Sequence, residues 1–211
     1  MTSSTLQINL QNVGKRYNHE WIFRGLDHTF VQNEHTVIQG SNGSGKSTLL
    51  QTILGSIVAS EGKLSYNVNG REFGVEETLG LFSIAAPYLE LIEEFSLVEA
   101  LEFHRKMSAF RSGLTISSII DRLYLSDSKD KAIKYYSSGM KQRLKLGLAL
   151  LSDTPFVLLD EPASNLDATA IAWYKQLVEE NKEDRIIIVC SNDQKDEFSF
   201  CQRSLNLGDF K

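Results

Sequence analysis

The sequence has few cysteines and no apolar run long enough to span a bilayer. Two cysteines in 211 residues cannot form a disulfide framework. Cys190 ends the apolar run 186–189, so we expect a buried, reduced residue, as in a reducing cytosol. A membrane-spanning helix needs roughly 18 to 20 apolar residues, and because no segment approaches that length, any membrane role has to be peripheral. Residues 1–5 have neither a basic nor an apolar region, and we expect no secretory leader there.

Basic residues are also in the minority. The chain holds 22 Lys and Arg against 27 Asp and Glu, a formal net charge of -5. A protein that binds nucleic acid generally carries a basic face, so no nucleic-acid partner is expected. The 42% hydrophobic content is enough for a substantial core at this length. Because no internal repeat or proline-rich linker divides the chain, residues 1–211 are predicted to form a single domain.

Short apolar runs alternate with segments of helical spacing. Residues 6–10 alternate apolar and polar side chains, as in a half-buried strand, while Thr36–Gln39, 156–159 and 185–190 are predicted to be buried strands. Strands that alternate with helices predict an α/β fold with a mainly parallel sheet covered on both faces. The segment from about 85 to 150 is long enough to form an inserted helical subdomain. Helices are predicted over Lys46–Leu54, 97–104, 117–125, 140–151 and 167–180.

A glycine-rich loop between a predicted strand and a predicted helix fits the pattern G-x-x-x-x-G-K-[ST]. Its glycines permit backbone angles that a Cβ forbids, so consecutive N–H groups can turn toward an anion, and the following helix adds its N-terminal dipole. Lys46 is expected to reach the β- and γ-phosphates, and Ser47 to bind Mg²⁺. A plain glycine-rich turn is the alternative, which the flanking strand and helix disfavour. The predicted phosphate-binding residues are Gly40, Ser41, Asn42, Gly43, Ser44, Gly45, Lys46, Ser47 and Thr48.

An acidic pair follows the apolar run 156–159. Ligands of open α/β sheets bind outside the carboxyl ends of the strands, which is where Asp160 and Glu161 are expected to lie. Asp160 is predicted to hold Mg²⁺ through water, and Glu161 to polarise the attacking water, because phosphoryl transfer depends on positioning and charge stabilisation. An ordinary solvated strand end is the alternative, and the accompanying phosphate loop weighs against it.

Further segments resemble motifs of the ATP-binding subunits of ABC transporters. Tyr136-Ser137-Ser138-Gly139-Met140-Lys141-Gln142-Arg143 resembles the family's signature, with Ser137 and Gly139 at the signature Ser and second Gly. Asp160-Glu161-Pro162-Ala163-Ser164-Asn165-Leu166-Asp167 resembles the Walker B strand end and the D-loop. Tyr17 looks like the aromatic residue that stacks on adenine. With the phosphate loop, these motifs stand in the family's order, and the resemblance spans about residues 6–208.

The resemblance implies a P-loop NTPase of the ABC ATPase type, with a mainly parallel sheet core, an antiparallel β subdomain and a helical subdomain. It implies ATP and Mg²⁺ as cofactors. It also implies a head-to-tail homodimer or heterodimer, with ATP between the phosphate loop of one copy and the signature of the other. A separate integral membrane permease would be driven by closure of this dimer, which would place the chain at the cytoplasmic face of the cell membrane.

The residues alone support part of this interpretation. The Ser137 hydroxyl, the Gly139 N–H and the start of the following helix form a second potential anion site. This site has no obvious use in a subunit that already holds phosphates at Lys46. The alternatives are a simple helix N-cap at Ser137 and a half-buried strand aromatic at Tyr17.

The chain departs from the family pattern where the family has a glutamine at the start of the helical lobe. Ala86 or Pro87 occupies that place, and neither side chain can bind a metal. Glu90 is a candidate substitute through water. The signature is altered as well, because Ser138 and Met140 replace Gly and Gln.

A further departure affects hydrolysis directly. Asn192 stands where the family has a histidine after the next strand. Asn can hydrogen-bond a γ-phosphate but cannot carry a proton or a positive charge. We therefore predict Mg²⁺-dependent hydrolysis by Lys46, Glu161 and Asn192 that is slower than in histidine-containing relatives.

Other functions are less consistent with the sequence. A non-transport ABC ATPase, acting as a mechanical or translation-linked module, typically carries two cassettes with a charged linker or long coiled-coil insertions, and this chain has neither. A P-loop kinase or GTPase is disfavoured by the signature and by the lack of an N-K-x-D-type motif. Residues 87–95 are apolar with acidic neighbours and occupy the place where the family's helical lobe meets the membrane subunit. These residues either form that docking surface or simply pack the lobe.

Overall fold

Two β-sheets and the helices around them make up the fold. The computed structural model describes residues 6–211; residues 1–5, where no secretory leader is expected, lie outside the described residues. No helix within the described range combines the length and apolar character needed to cross a membrane. The strands are β1 (Leu6–Tyr17), β2 (Glu20–Val31), β3 (Thr36–Gln39), β4 (Glu61–Val68), β5 (Arg71–Phe73), β6 (Phe82–Ala85), β7 (Phe156–Asp160), β8 (Ile186–Ser191) and β9 (Arg203–Asn206). The helices are α1 (Lys46–Leu54), α2 (Leu97–Met107), α3 (Ile116–Arg122), α4 (Ser138–Leu150), α5 (Ala168–Asn181) and α6 (Lys195–Phe198).

The larger sheet has five parallel strands in the order β6-β7-β8-β3-β9. Every residue of β7 and β8 is buried, as expected for strands of a parallel sheet covered on both faces. Successive side chains of β7 point to opposite faces. Phe156 and Leu158 join the core shared with the smaller sheet and α1, whereas Val157 and Leu159 join the core shared with α4 and α5. The predicted sheet is confirmed, with helices and a second sheet as its two coverings.

The smaller sheet is antiparallel and has the order β2-β1-β4-β5. The predicted half-buried strand 6–10 is the first part of β1, where Leu6, Ile8 and Leu10 are buried. The β1 ladder shifts register several times beyond Leu10, which disrupts the regular alternation along the sequence. Strands β2, β4 and β5 were not predicted individually, because their pairing joins distant parts of the chain.

Three predicted helix boundaries are wrong by two residues or more. Helix α2 continues to Met107 rather than ending at 104. Helix α4 begins at Ser138 rather than at 140, because Ser137 is its N-cap and accepts a hydrogen bond from the Met140 N–H at 3.2 Å. Helix α3 ends at Arg122 rather than at 125, since Tyr124 has a left-handed backbone with φ of 53°. Helix α1 has the predicted bounds. Helices α2, α3 and α4 follow one another between β6 and β7, within the segment from about 85 to 150.

Candidate functional site

The glycine-rich loop leaves the carboxyl end of β3 and leads into α1. Gly45, the residue before the helix, has φ of 104°, and a Cβ there would lie 2.3 Å from Ile22 Cγ2 of the smaller sheet. Gly43 also has positive φ, at 75°. At position 45 only glycine can adopt the positive φ without strain and also avoid a clash with Ile22. The loop therefore needs this glycine to bring its amides to the helix N-terminus. The Leu49 N–H closes the first helical turn on the Gly45 carbonyl at 2.8 Å.

Lys46 turns its side chain back under this loop. It is buried, and its Nζ donates to the carbonyls of Gly40 at 2.7 Å and Ser41 at 3.2 Å. A third bond, 2.5 Å long, goes to Oδ1 of Asn192, just beyond β8. A buried ammonium needs such acceptors because desolvation is costly for a charge. The lysine is therefore fixed at the inner wall of the loop.

Asp160, at the carboxyl end of β7, is almost fully buried. Burial raises the pKa of its carboxyl group above the usual value, while the neighbouring Ser47 hydroxyl lowers it. Within residues 6–211, Asp160 Oδ2 has no hydrogen-bond partner. A buried carboxylate oxygen without a donor is an arrangement that a cation would satisfy.

Two oxygen donors, Ser47 and Asp160, thus lie side by side, and they suit Mg²⁺, which usually takes one or two protein oxygens and completes its shell with waters and phosphate oxygens. A metal site made only of three or more His, Cys, Asp or Glu side chains does not occur in the described part of the chain. The residues therefore fit a Mg²⁺ ion that shares its shell with a phosphate ligand.

Glu161 has an unusual backbone. Its φ of 46° lies in the left-handed region, a conformation that costs a non-glycine residue roughly 1–3 kcal/mol and is common at functional sites. Its N–H donates to the Cys190 carbonyl at 2.9 Å, and its Oε1 accepts a 2.6 Å bond from Nδ2 of Asn192. Asn192 therefore joins the carboxylate of Glu161 to the ammonium of Lys46.

Lys46, Ser47 and Glu161 border a cavity of about 230 Å³, whereas Asp160 and Asn192 are not among its lining residues. A larger groove, of about 650 Å³, lies near α3 and α5 and contains none of the predicted site residues. The types of residue that line the cavity, rather than its volume, therefore identify the site. The smaller cavity is lined by Ile22, Asn42, Gly43, Ser44, Gly45, Lys46, Ser47, Thr48 and Glu161.

The signature-like segment lies apart from this cavity. Neither Ser137 nor Gly139 belongs to the described lining. Gly139 passes close to the D-loop-like segment, where a Cβ would lie 3.2 Å from the Asn165 carbonyl oxygen. Sequence reasoning missed Gln142, whose buried amide donates to the Pro162 carbonyl at 2.9 Å and so ties α4 to the chain just after Glu161.

Tyr17, Ala86 and Glu90 lie outside the phosphate cavity. Tyr17 is 48% exposed at the end of β1, with the Lys15 ammonium 4.9 Å from its ring centroid, and it does not line the described cavity. Ala86 is fully buried, while Glu90 lines a separate groove with Lys145. Neither of these two residues lies in the phosphate cavity.

Tyr88 belongs to the segment 87–95, and the sequence predicts no role for it near Asp160. Tyr88 is 43% exposed, and its partial burial, with a further contribution from Asp160, raises its pKa to about 12, while the neighbouring Gln51 side chain opposes this. Since β6 pairs with β7 up to Ala85 and Leu159, residues just after β6 reach the region of Asp160.

Comparison with known proteins agrees with the geometry. The family model described as "ABC transporter" matches residues 23–164, more than half of the chain. The ABC transporter ATP-binding protein YybJ of Bacillus subtilis is 27% identical over 203 residues, covering 95% of this chain and 92% of that protein.

Solved structures show the same fold. The ATP-binding subunit of an ABC transporter has a TM-score of 0.80 at 22% identity, covering 95% of this chain and 85% of that one. A dimeric bacterial ABC transporter cassette has a TM-score of 0.76 at 21% identity, covering 95% and 94%. The chain belongs to the ABC transporter family of ATP-binding proteins.

Proposed function

We propose that the protein binds and hydrolyses ATP and drives a separate membrane permease through ATP-dependent closure of a dimer of cassettes. The observation that carries this proposal is the joining of Lys46, Asn192 and Glu161 by two hydrogen bonds beside the buried Asp160. A positive group for phosphates, a carboxylate for water and a pair of oxygens for Mg²⁺ are the parts that phosphoryl transfer from ATP needs.

Each residue has a defined role in this proposal. The amides of residues 40–48 bind phosphate oxygens, and Lys46 exchanges its carbonyl partners for the β- and γ-phosphates. Ser47 and Asp160 hold Mg²⁺, which supplies charge neutralisation at the transferred phosphoryl group. Glu161 orients and polarises the attacking water.

Asn192 determines how efficiently this arrangement works. Its amide donates to Glu161 and accepts from Lys46, so it can position both groups. It remains neutral throughout and offers no charge to a developing negative transition state. Hydrolysis is therefore expected to be slow compared with relatives that have a histidine there.

A second copy of a cassette completes the nucleotide site. Ser137 is exposed and already caps α4, and Gly139 offers a backbone N–H in the first turn, yet both lie away from the cavity of their own chain. A head-to-tail partner, identical or different, brings these groups to the γ-phosphate. Tyr17 is exposed at the end of β1, next to the strand that carries Ile22, and we assign adenine stacking to it.

The permease contact is assigned to a groove of about 560 Å³ beside the start of α4. Leu89 and Ile92 expose more than a third of their surface here. Glu90 and Glu94 add negative charge, while Glu93 pairs with Lys141. An apolar segment with basic side chains on the cytoplasmic side of the permease fits this surface. The groove is lined by Pro87, Leu89, Glu90, Leu91, Ile92, Glu93, Glu94, Lys141 and Lys145.

Charge reversal tests the groove. Changing Glu93 and Glu94 to lysine is expected to weaken assembly with the permease. The matched control reverses Glu76 and Glu179, which are exposed and do not line the groove, and Glu179 pairs with Lys182 as Glu93 pairs with Lys141. Equal assembly of both double variants would mean that residues 87–95 only pack the helical lobe.

The proposed function as a whole is tested by purifying the tagged protein from its own cell membranes in mild detergent and identifying its partners by mass spectrometry. We expect a polytopic membrane protein at about one-to-one stoichiometry. Recovery only in the soluble fraction, or with ribosomes or DNA, would reject the transport role and favour a non-transport ABC ATPase.

A further inference from the structure

A buried carboxylate lies beneath the catalytic residues. Glu197 belongs to the short helix α6 and is 2% exposed, yet no sequence motif predicts a role for it. Burial raises the pKa of its carboxyl group, and the nearby Glu161 and Asp160 raise it further. An acidic residue is seldom buried so close to two other acids unless its hydrogen bonds serve the structure around it.

The two oxygens of Glu197 bind two different segments of the site. Oε1 accepts the Ala163 N–H at 3.1 Å, two residues after Glu161. Oε2 accepts the hydroxyl of Ser191, the residue before Asn192. The main-chain carbonyl of Glu197 accepts the Tyr174 hydroxyl at 2.8 Å, which anchors α6 to α5. One side chain therefore connects the chain after β7 with the end of β8.

These two segments carry the residues whose separation matters for hydrolysis. Glu161 has a left-handed backbone that the surrounding structure must maintain. Asn192 reaches across to Glu161 with a 2.6 Å hydrogen bond. Ala163 is two residues from Glu161, and Ser191 precedes Asn192. A shift of either segment would therefore change the geometry of this bond.

We propose that Glu197 is a positioning residue that couples the Ala163 turn to Ser191 and thereby sets the geometry of Glu161 and Asn192. This inference rests on the proposed ATPase activity but uses its own contacts. A purely structural role in the core is the competing explanation. That explanation predicts that activity falls only in proportion to the fraction of protein that is folded.

Three variants separate these explanations. Glu197→Ala removes both bonds and is expected to lower kcat about tenfold or more while changing the Kd for ATP less than about twofold. Glu197→Gln keeps an acceptor for Ala163 and a donor for Ser191, so its kcat should stay within about threefold of the wild type. Asp196→Asn is the matched control, since that neighbour is exposed and pairs with Lys175 at 2.5 Å.

A second measurement does not depend on catalysis. Amide hydrogen exchange of Ala163 in the nucleotide-free protein should be slow in the wild type and in Glu197→Gln, and faster in Glu197→Ala. Absence of ATP hydrolysis by the wild type would reject the proposed function, while the exchange result would still test the coupling. Unchanged kcat and unchanged exchange in Glu197→Ala would overturn the inference, as would a kcat loss that also appears in Asp196→Asn.

A single-bond variant serves if Glu197→Ala does not fold. Ser191→Ala removes only the bond to Oε2 and is expected to lower kcat about threefold with unchanged Kd. Ser191→Thr keeps the hydroxyl that donates to Oε2 and should stay within about twofold of the wild-type kcat. A wild-type kcat in Ser191→Ala, or an equal loss in both variants, would overturn the inference.

Discussion

Replacing Asn192 with histidine should speed hydrolysis. Asn192 donates to Glu161 at 2.6 Å and accepts from Lys46 at 2.5 Å. A neutral imidazole also offers one donor and one acceptor, so the variant can keep both partners. When Lys46 turns to phosphate, the imidazole can take up a proton and donate as a cation, which an amide cannot do.

The size of the gain follows from hydrogen-bond energies. A neutral hydrogen bond contributes about 0.5–1.5 kcal/mol, and one that involves a charged group about 1.5–3 kcal/mol. The difference of about 1–1.5 kcal/mol, if expressed only in the transition state, corresponds to about a five- to twelvefold increase in kcat. ATP affinity should change little, since the ground-state contacts are retained.

The assay is Mg²⁺-dependent phosphate release at saturating ATP, with nucleotide affinity measured separately. The pH profile of Asn192→His should acquire an inflection near the ordinary histidine pKa of about 6.5, with the larger gain below it. Asn192→Gln, which keeps the amide and adds no charge, is the control and should show no gain. A kcat for Asn192→His equal to or below the wild type, with unchanged affinity, would refute the reasoning.

Three further predictions concern other parts of the molecule. Glu161→Gln keeps an acceptor for Asn192 but loses the carboxylate that polarises the attacking water, so kcat should fall at least about 100-fold. Gel filtration of this variant with ATP and Mg²⁺ should show a dimer, and a monomer alone would count against a nucleotide site shared between two copies. Gly45→Ala should weaken nucleotide binding about tenfold or more because of the contact with Ile22, whereas Gly80→Ala, also at positive φ but in open space, should leave the Kd unchanged. Burial holds the pKa of His35 at about 4, against about 6.5 when unfolded, so below pH 6.5 the unfolded state gains the proton first and stability falls toward pH 4. At pH 5.5 the loss is about 1 kcal/mol, or about 2–4 °C in Tm relative to pH 7, and an equal loss in His35→Asn would show that other groups cause it.

The sequence predicted the parts of the site that are local in the chain. The bounds of β3 and α1 followed from a β-branched run, a glycine-rich loop and helical spacing, and Lys46 followed with them. Asp160 was placed at the end of a buried strand because β7 is apolar at every preceding position. These features need no knowledge of distant residues.

Contacts between distant residues could not be predicted in this way. The Gln142 bond to Pro162 spans 20 residues, and the Glu197 bond to Ala163 spans 34. Their sequence surroundings show only a helix and a short polar segment. The antiparallel strands β2, β4 and β5 were missed for the same reason, since their partners and register shifts lie elsewhere in the chain.

The strand order explains why position 192 has such influence. In the larger sheet β8 lies between β7, which ends at Asp160, and β3, which leads to the phosphate loop. A residue that follows β8 therefore stands between the acidic pair and Lys46, and a single short side chain can reach both. No residue following β6 or β9 has this position, because those strands flank the other sides of β7 and β3. The chemistry of residue 192 should therefore act on phosphate binding and on the attacking water together, while changes in the antiparallel sheet reach the nucleotide only through side chains such as Ile22.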